Sequence, residues 1–170
     1  MPEYRRRHVP GGSYFFTVNL EDRESRLLVE QIDILRGAYH SVCKEHPFTT
    51  QAIVILPDHI HAVWTLPPGD ANFSTRWKKI KARFSRAVHS RGLGYGVSLS
   101  PSRISRGETG PWQRRFWEHT IRDQADLAHH IAYCHNNPVW HGLVSAPEQW
   151  PYSSIKRCKV GANPPAVSGG

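Results

Sequence analysis

Cysteine is scarce in this 170-residue chain: Cys43, Cys134 and Cys158 are odd in number and far apart. No Cys-x-x-Cys pair occurs, which argues against both a disulfide framework and a zinc–thiolate site. Cys43 and Cys134 fall in apolar helical stripes and read as buried core thiols. Long apolar runs are also missing, and none approaches the roughly 20 residues that span a bilayer. The basic start, Met1 to His8, is not followed by an apolar segment, so neither a signal peptide nor a membrane partner is expected, and the expected location is cytoplasmic. No internal repeat and no second domain are visible. With 39% hydrophobic residues, the chain is expected to form one domain over residues 1–156, with a flexible tail over 157–170.

Acid is the other shortage. Asp plus Glu number 14 against 22 Lys plus Arg, giving a net charge of +8. That balance is the electrostatic footprint of a polyanion binder, although a merely soluble basic surface would give the same count. Placement is more telling. Arg5, Arg6 and Arg7 precede the turn Pro10-Gly11-Gly12, as an arm over a phosphate backbone or as a solvated terminus.

Ser13 to Leu20 is aromatic and β-branched, a strand signal. From about Leu28 to Glu45, apolar residues recur at spacings of three and four, which predicts an amphipathic helix ended by Pro47. Ala52 to Leu56 is a continuous apolar run that reads as a strand buried on both faces. Pro57-Asp58 makes a tight turn.

The next strand, to Leu66, alternates. Ile60, Ala62, Trp64 and Leu66 point one way, His59, His61, Val63 and Thr65 the other. His59 and His61 thus project from one face, roughly 7 Å apart along the strand, and two such imidazoles can ligate a divalent metal. By itself the pattern is weak. Eleven histidines in this length give about one His-x-His by chance, and two ordinary strand histidines would explain it equally well.

Ser74 to about Ser90 reads as a helix with a core stripe of Trp77, Ile80, Phe84 and Val88. Its other side carries Arg76, Lys79, Arg83 and Arg86, with Lys78 and Lys81 at the margins. No acid is interleaved, which favours phosphate contact over a solvated face. Arg91 to Gly110 lacks any pattern and reads as a mobile loop. Pro111 to Ile121 is a partly alternating fourth strand. There Arg114 and Arg115 beside Phe116 and Trp117 offer charge and stacking to single-stranded bases, unless the aromatics are buried.

Asp123 caps a last helix, with Asp126 in its first turn and a core stripe of Leu127, Ile131 and Cys134. Pro138 is expected to end it and to disfavour α conformation at Asn137. Tyr133 and Asn137, four apart, share one face. Two strand imidazoles and the Asn137 amide oxygen, with open positions left over, would suit Mg²⁺ or Mn²⁺. The order strand, helix, strand, strand, helix, strand, helix predicts an α+β fold. It is a ferredoxin-like βαββαβ antiparallel sheet, first and third strands central, with an additional C-terminal helix.

Three stretches together resemble a known family. Leu56-Pro57-Asp58-His59-Ile60-His61, Trp112-Gln113-Arg114-Arg115-Phe116-Trp117-Glu118-His119 and Tyr133-Cys134-His135-Asn136-Asn137-Pro138-Val139 are similar to successive signatures of the REP-associated tyrosine transposases. These belong to the single-tyrosine HUH transposases of bacterial insertion sequences. The resemblance runs from about Tyr4 to Ser154. It implies a metal-dependent single-stranded DNA endonuclease and strand transferase acting on short palindromic hairpins through a 5′-phosphotyrosine. Tyr133 would be the nucleophile, His59 and His61 the metal-binding pair, and Asn137 the third ligand. A monomer is expected in preference to a homodimer. Two alternatives remain at this level: a catalytically silent hairpin-DNA-binding protein, and a metal-dependent hydrolytic nuclease in which Tyr133 is structural.

Overall fold

The computed structural model describes residues 6–95, 100–107 and 110–159. Arg5 and nearly all of the expected tail lie outside them. The strands are β1 (Ser13–Asn19), β2 (Thr49–Ile55), β3 (His59–Thr65) and β4 (Trp117–Thr120). The helices are α1 (Leu27–Glu30), α2 (Ile32–Glu45), α3 (Phe73–Ser90), α4 (Pro101–Ser105), α5 (Gln124–Trp140) and α6 (Ile155–Lys159). The sheet runs β2-β3-β1-β4, with every pairing antiparallel. This is the expected ferredoxin-like order, with β1 and β3 central and one further long helix, α5.

Period-two alternation assigns the two faces. Tyr14, Phe16 and Val18 of β1 and Ile60, Ala62 and Trp64 of β3 meet α2 and α3 in the larger core. Trp64 stacks on Trp77 of α3 with ring centroids 4.3 Å apart. The opposite face of the same strands gives Phe15 and Val63 to a smaller core with Val54, Leu56 and Cys134, closed by α5. His59 and His61 therefore lie under α5, away from the main core. The β2–β3 turn is tight, with Leu56 N–H donating to His59 C=O at 2.8 Å across Pro57-Asp58. Beyond the edge strand β2, the chain adds another rung: Ile55 N–H donates to Tyr152 C=O and Ser154 N–H to Ile53 C=O. That cover satisfies backbone groups an edge would leave open.

Five expectations change. The helix of 28–45 is two helices broken at Gln31. The cap of α3 is Asn72, whose side chain accepts from Thr75 N–H, rather than Ser74. β4 spans only Trp117–Thr120, although Trp112 and Gln113 still pair with the end of β1. The segment expected as a loop contains α4, and its Arg103 is buried and donates to the Gly110 and Trp112 carbonyls. Pro138 does not end α5. The helix passes through it, His141 N–H bonds Asn137 C=O, and Gly142 terminates it at φ +69°.

Arg76 also departs from expectation. Its side chain is 3% exposed. All five N–H donors are taken: two by the Asp70 carboxylate and three by the carbonyls of His46, Pro47 and Asn72. It pins the start of α3 to the α2–β2 turn and is not a phosphate contact. Arg76→Ala should lower the unfolding free energy by about 2–3 kcal/mol, because it orphans several acceptors at once. Arg86→Ala, on the open side of α3, should change it by less than ~0.5 kcal/mol. Urea titration of both variants checks the contrast.

Candidate active site and nucleic-acid interface

The β1/β3 register places Thr17 opposite His61 and Asn19 opposite His59. His59 and His61 are both buried, at 3% and 4% exposure, with ring centroids 4.8 Å apart. The rings thus sit closer together than their positions along the strand suggest. Each is held through its Nδ1. His59 Nδ1 donates to Asp58 Oδ1 at 2.7 Å, and His61 Nδ1 bonds Thr17 Oγ1 at 2.9 Å. Asp58 is held in turn by Arg23, whose Nε donates to Oδ2 at 2.6 Å. Such outer partners fix ring orientation. The Asp58 carboxylate can only accept, so it assigns the proton of a neutral His59 to Nδ1 and its lone pair to Nε2. Burial, then the neighbouring His59, pushes the His61 pKa down to about 3, so His61 is neutral and ligand-ready at pH 7. For Asp58, burial favours the protonated form. The hydrogen bonds from His59 and Arg23 outweigh it and bring the pKa down to about 2.

α5 presents the remaining groups. Tyr133 is half-buried, its ring edge-on to Phe15 at 5.5 Å and 5.2 Å from His61. One turn on, Asn137 is 2% exposed, and its Oδ1 has no hydrogen-bond partner among the described residues. A buried amide oxygen without a donor is costly unless something else satisfies it. Two neutral imidazoles and this carbonyl oxygen form a mixed nitrogen–oxygen set that fits a divalent ion able to accept both donor types. His141, one further turn along, lies 5.2 Å from His59 and is a residue the sequence reading missed. The spacing Tyr133-x₃-Asn137-x₃-His141 was the available signal.

A second group flanks Tyr133. Asp126 on α5 accepts from His119 of β4 at 2.8 Å and from Arg122 N–H at 2.9 Å, and it lies 3.1 Å from His130 Nδ1. These contacts hold its pKa well below the usual carboxylate range, against the burial that favours the protonated acid. His119, Asp126 and His130 bring three potential ligand atoms within 4.8 Å of one another. In this arrangement they tie the start of α5 to β4, and His130 packs on Phe15 at 4.9 Å.

The expected cationic stripe on α3 divides. Arg76 is internal. Lys79 and Arg83 both bond Glu45 of α2, an acid invisible from the α3 sequence, and they hold its carboxyl down to about 2. Arg86 instead lines a groove of about 1000 Å³ with Lys78, Lys81, Arg103 and Arg114. Tyr95, Trp112 and Phe116 supply aromatic rings in the same groove. Arg115, next to Arg114, and Arg7 are exposed, and Arg6 sits 4.0 Å over the Phe116 ring. Basic side chains with interleaved aromatics are what a nucleic-acid strand requires. Among the described residues, no helix is long and apolar enough to cross a membrane.

Asp58 also sets a pH dependence. Its folded pKa lies below the usual 3.8, so its contribution to stability is present above about pH 4 and is lost as pH falls toward 2. The shift corresponds to about 2 kcal/mol. Asp58→Asn should flatten the fall in stability between pH 4 and 2 by about that amount. Denaturant titrations at stepped pH measure it, and an unchanged slope would show that the ion pair does not persist in solution.

No protein-family model matches the chain. It is 43% identical over 157 residues to the REP-associated tyrosine transposase of Escherichia coli (strain K12), covering 92% of this chain and 84% of that protein. A Haemophilus influenzae REP-associated tyrosine transposase is 45% identical over 157 residues, covering 92% and 87%. A solved structure of a REP-associated tyrosine transposase bound to a REP hairpin matches with a TM-score of 0.80 and 40% identity, over all of this chain and 97% of that one. At 43–45% identity over 92% of its length, the chain belongs to the REP-associated tyrosine transposases.

Proposed function

We propose that this protein cuts and rejoins single-stranded DNA beside short palindromic hairpins, with Tyr133 as the nucleophile. One observation carries the reading. Tyr133, packed on His61, lies one helical turn from a buried Asn137 Oδ1 without a partner among the described residues, beside two imidazoles each held through Nδ1. In-line attack of the Tyr133 oxygen on the scissile phosphorus would form the Tyr–O–P bond and break the bond to the 3′ oxygen. A 5′-phosphotyrosine and a free 3′-OH result. The phenol proton leaves as the tyrosine attacks, and the departing 3′ oxygen takes one up. The covalent link conserves the phosphodiester energy, so a 3′-OH can attack it and reseal the strand in the reverse sense.

His59, His61 and Asn137 would hold Mg²⁺ or Mn²⁺, and the bound ion would supply charge neutralisation to the reacting phosphate. Asp58 and Thr17 position the two imidazoles. Phe15 packs edge-on against the Tyr133 ring. The α3 groove, with Arg86, Lys78, Lys81 and Arg114, is the surface offered to the hairpin backbone, with Arg115 and the Arg5–Arg7 arm as further contacts. His59, His61, Tyr133 and Asn137 meet within a single copy of the chain, and the working unit of this reading is a monomer with residues 1–156 as one catalytic domain.

Incubating the protein with labelled hairpin DNA and Mg²⁺ or Mn²⁺ tests this. A covalent protein–DNA adduct is expected. Tyr133→Phe should abolish it, and His61→Ala should reduce it about 100-fold or more while hairpin affinity changes little. Cleavage that persists in Tyr133→Phe would instead indicate a hydrolytic nuclease. Binding without any cleavage would indicate a DNA-binding role alone.

A further inference from the structure

Four large hydrophobic side chains are exposed among the described residues: Leu93, Ile104, Trp117 and Trp140. Leu93 and Ile104 belong to the segment around α4. The two tryptophans do not. Trp117, 49% exposed, meets Phe15 at 5.7 Å and 69°. Phe15 meets Tyr133 at 5.5 Å, and Tyr133 meets Trp140, 61% exposed, at 5.3 Å and 61°. A chain of ring contacts thus links the nucleophile to two open indoles, one reached through Phe15 and the other in direct contact.

Both indoles are held by tilted or edge contacts, which anchor a ring without covering it as a parallel stack would. Trp117 does lie parallel to His119, but with centroids 6.2 Å apart and half its surface still open. Both come from rigid elements. Trp117 opens β4, paired with β1 at Thr17, and Trp140 is the last residue of α5. Leaving two tryptophans in water costs solubility and gains nothing for the fold. Exposed indoles beside a phosphodiester-cleaving residue match the way unpaired bases are held, by stacking that tolerates any base.

We infer that Trp117 and Trp140 form two base-stacking subsites that grip the unpaired nucleotides on opposite sides of the scissile phosphate. The inference rests on the transposase reading of Tyr133. Gripping one base on each side stretches the strand across Tyr133 and presents the phosphorus for in-line attack. The ligand at each subsite is a single unpaired base. Specificity at these two positions then follows stacking strength, not hydrogen-bonded readout. Trp117 and Trp140 are positioning residues, and the chemistry stays with Tyr133.

A double-mutant cycle tests it. Equilibrium affinity is measured in the Tyr133→Phe background, which keeps the DNA whole, on a REP-type hairpin with ten unpaired nucleotides on each side. Each unpaired nucleotide is made abasic in turn. Trp140→Ala should weaken binding of the intact probe about tenfold, and Trp140→Phe should restore most of the loss. At one abasic position the Trp140→Ala penalty should vanish, because the stacking partner is already gone. Trp117→Ala should behave likewise, at a position on the other side of the mapped cleavage point. If both alanine variants bind every probe within twofold of the parent, or if their losses are the same at every abasic position, the stacking subsites do not exist. Adduct formation by the protein with its native Tyr133 is scored in parallel. An adduct with a flat tryptophan scan overturns this inference alone, and stacking without an adduct overturns the nucleophile assignment alone.

Discussion

The hydrogen bond from His59 Nδ1 to Asp58, matched by the bond between His61 Nδ1 and Thr17, is the constraint on which the site depends. An imidazole on a strand can rotate about two bonds and offer either nitrogen. Holding both rings by the same nitrogen removes that freedom and turns two alternate strand residues into a fixed pair. Each partner is supplied by structure formed for another reason. Asp58 is the second residue of the β2–β3 turn, itself bonded by Leu20 N–H and paired with Arg23. Thr17 faces His61 because β1 and β3 pair in a register set by the aromatic core on the other side of the sheet. A one-residue slip would put the histidines into that core and the Trp64 indole under α5.

The same economy governs charge. An excess of cations invites every arginine to be read as a DNA contact, yet the fold commits several of them. Arg76 closes the α2–β2 turn, Arg103 braces the segment before β4, and Lys79 and Arg83 share Glu45. Arg86, Lys78, Lys81 and Arg114 instead line the groove on one side of α3. Gathering these cations along one groove gives the nucleic acid a defined track and leaves the rest of the helix to hold the domain together.

Much of this architecture was legible in the sequence, because periodicity reports burial. The alternation from Ile60 to Leu66 assigned the faces of β3, and the order of elements implied the sheet. The stripe of Leu127, Ile131 and Cys134 indicated which side of α5 meets it. What could not be read was the identity of partners distant in sequence. Nothing near Lys79 announces Glu45, thirty-four residues earlier. Asp58 looked like a turn residue, and its role emerges only when His59 folds back on it. Pro138 was expected to stop α5, but a helix already packed on a sheet can tolerate a missing N–H when the neighbouring bonds survive. Trp140 and His141 lay beyond that expected stop, and both turned out to border the site.

The ligand pair exists only if Nδ1, and not Nε2, carries the proton in both His59 and His61. Long-range ¹H–¹⁵N correlation spectra of the metal-free protein at neutral pH report the tautomer of each ring directly. Both histidines should appear as the Nδ1–H form with an unprotonated Nε2, and Asp58→Asn should alter the His59 signal first. An Nε2–H tautomer at either histidine would mean that the ring presents the wrong nitrogen, and the convergent ligand pair on which the reading is built would not exist.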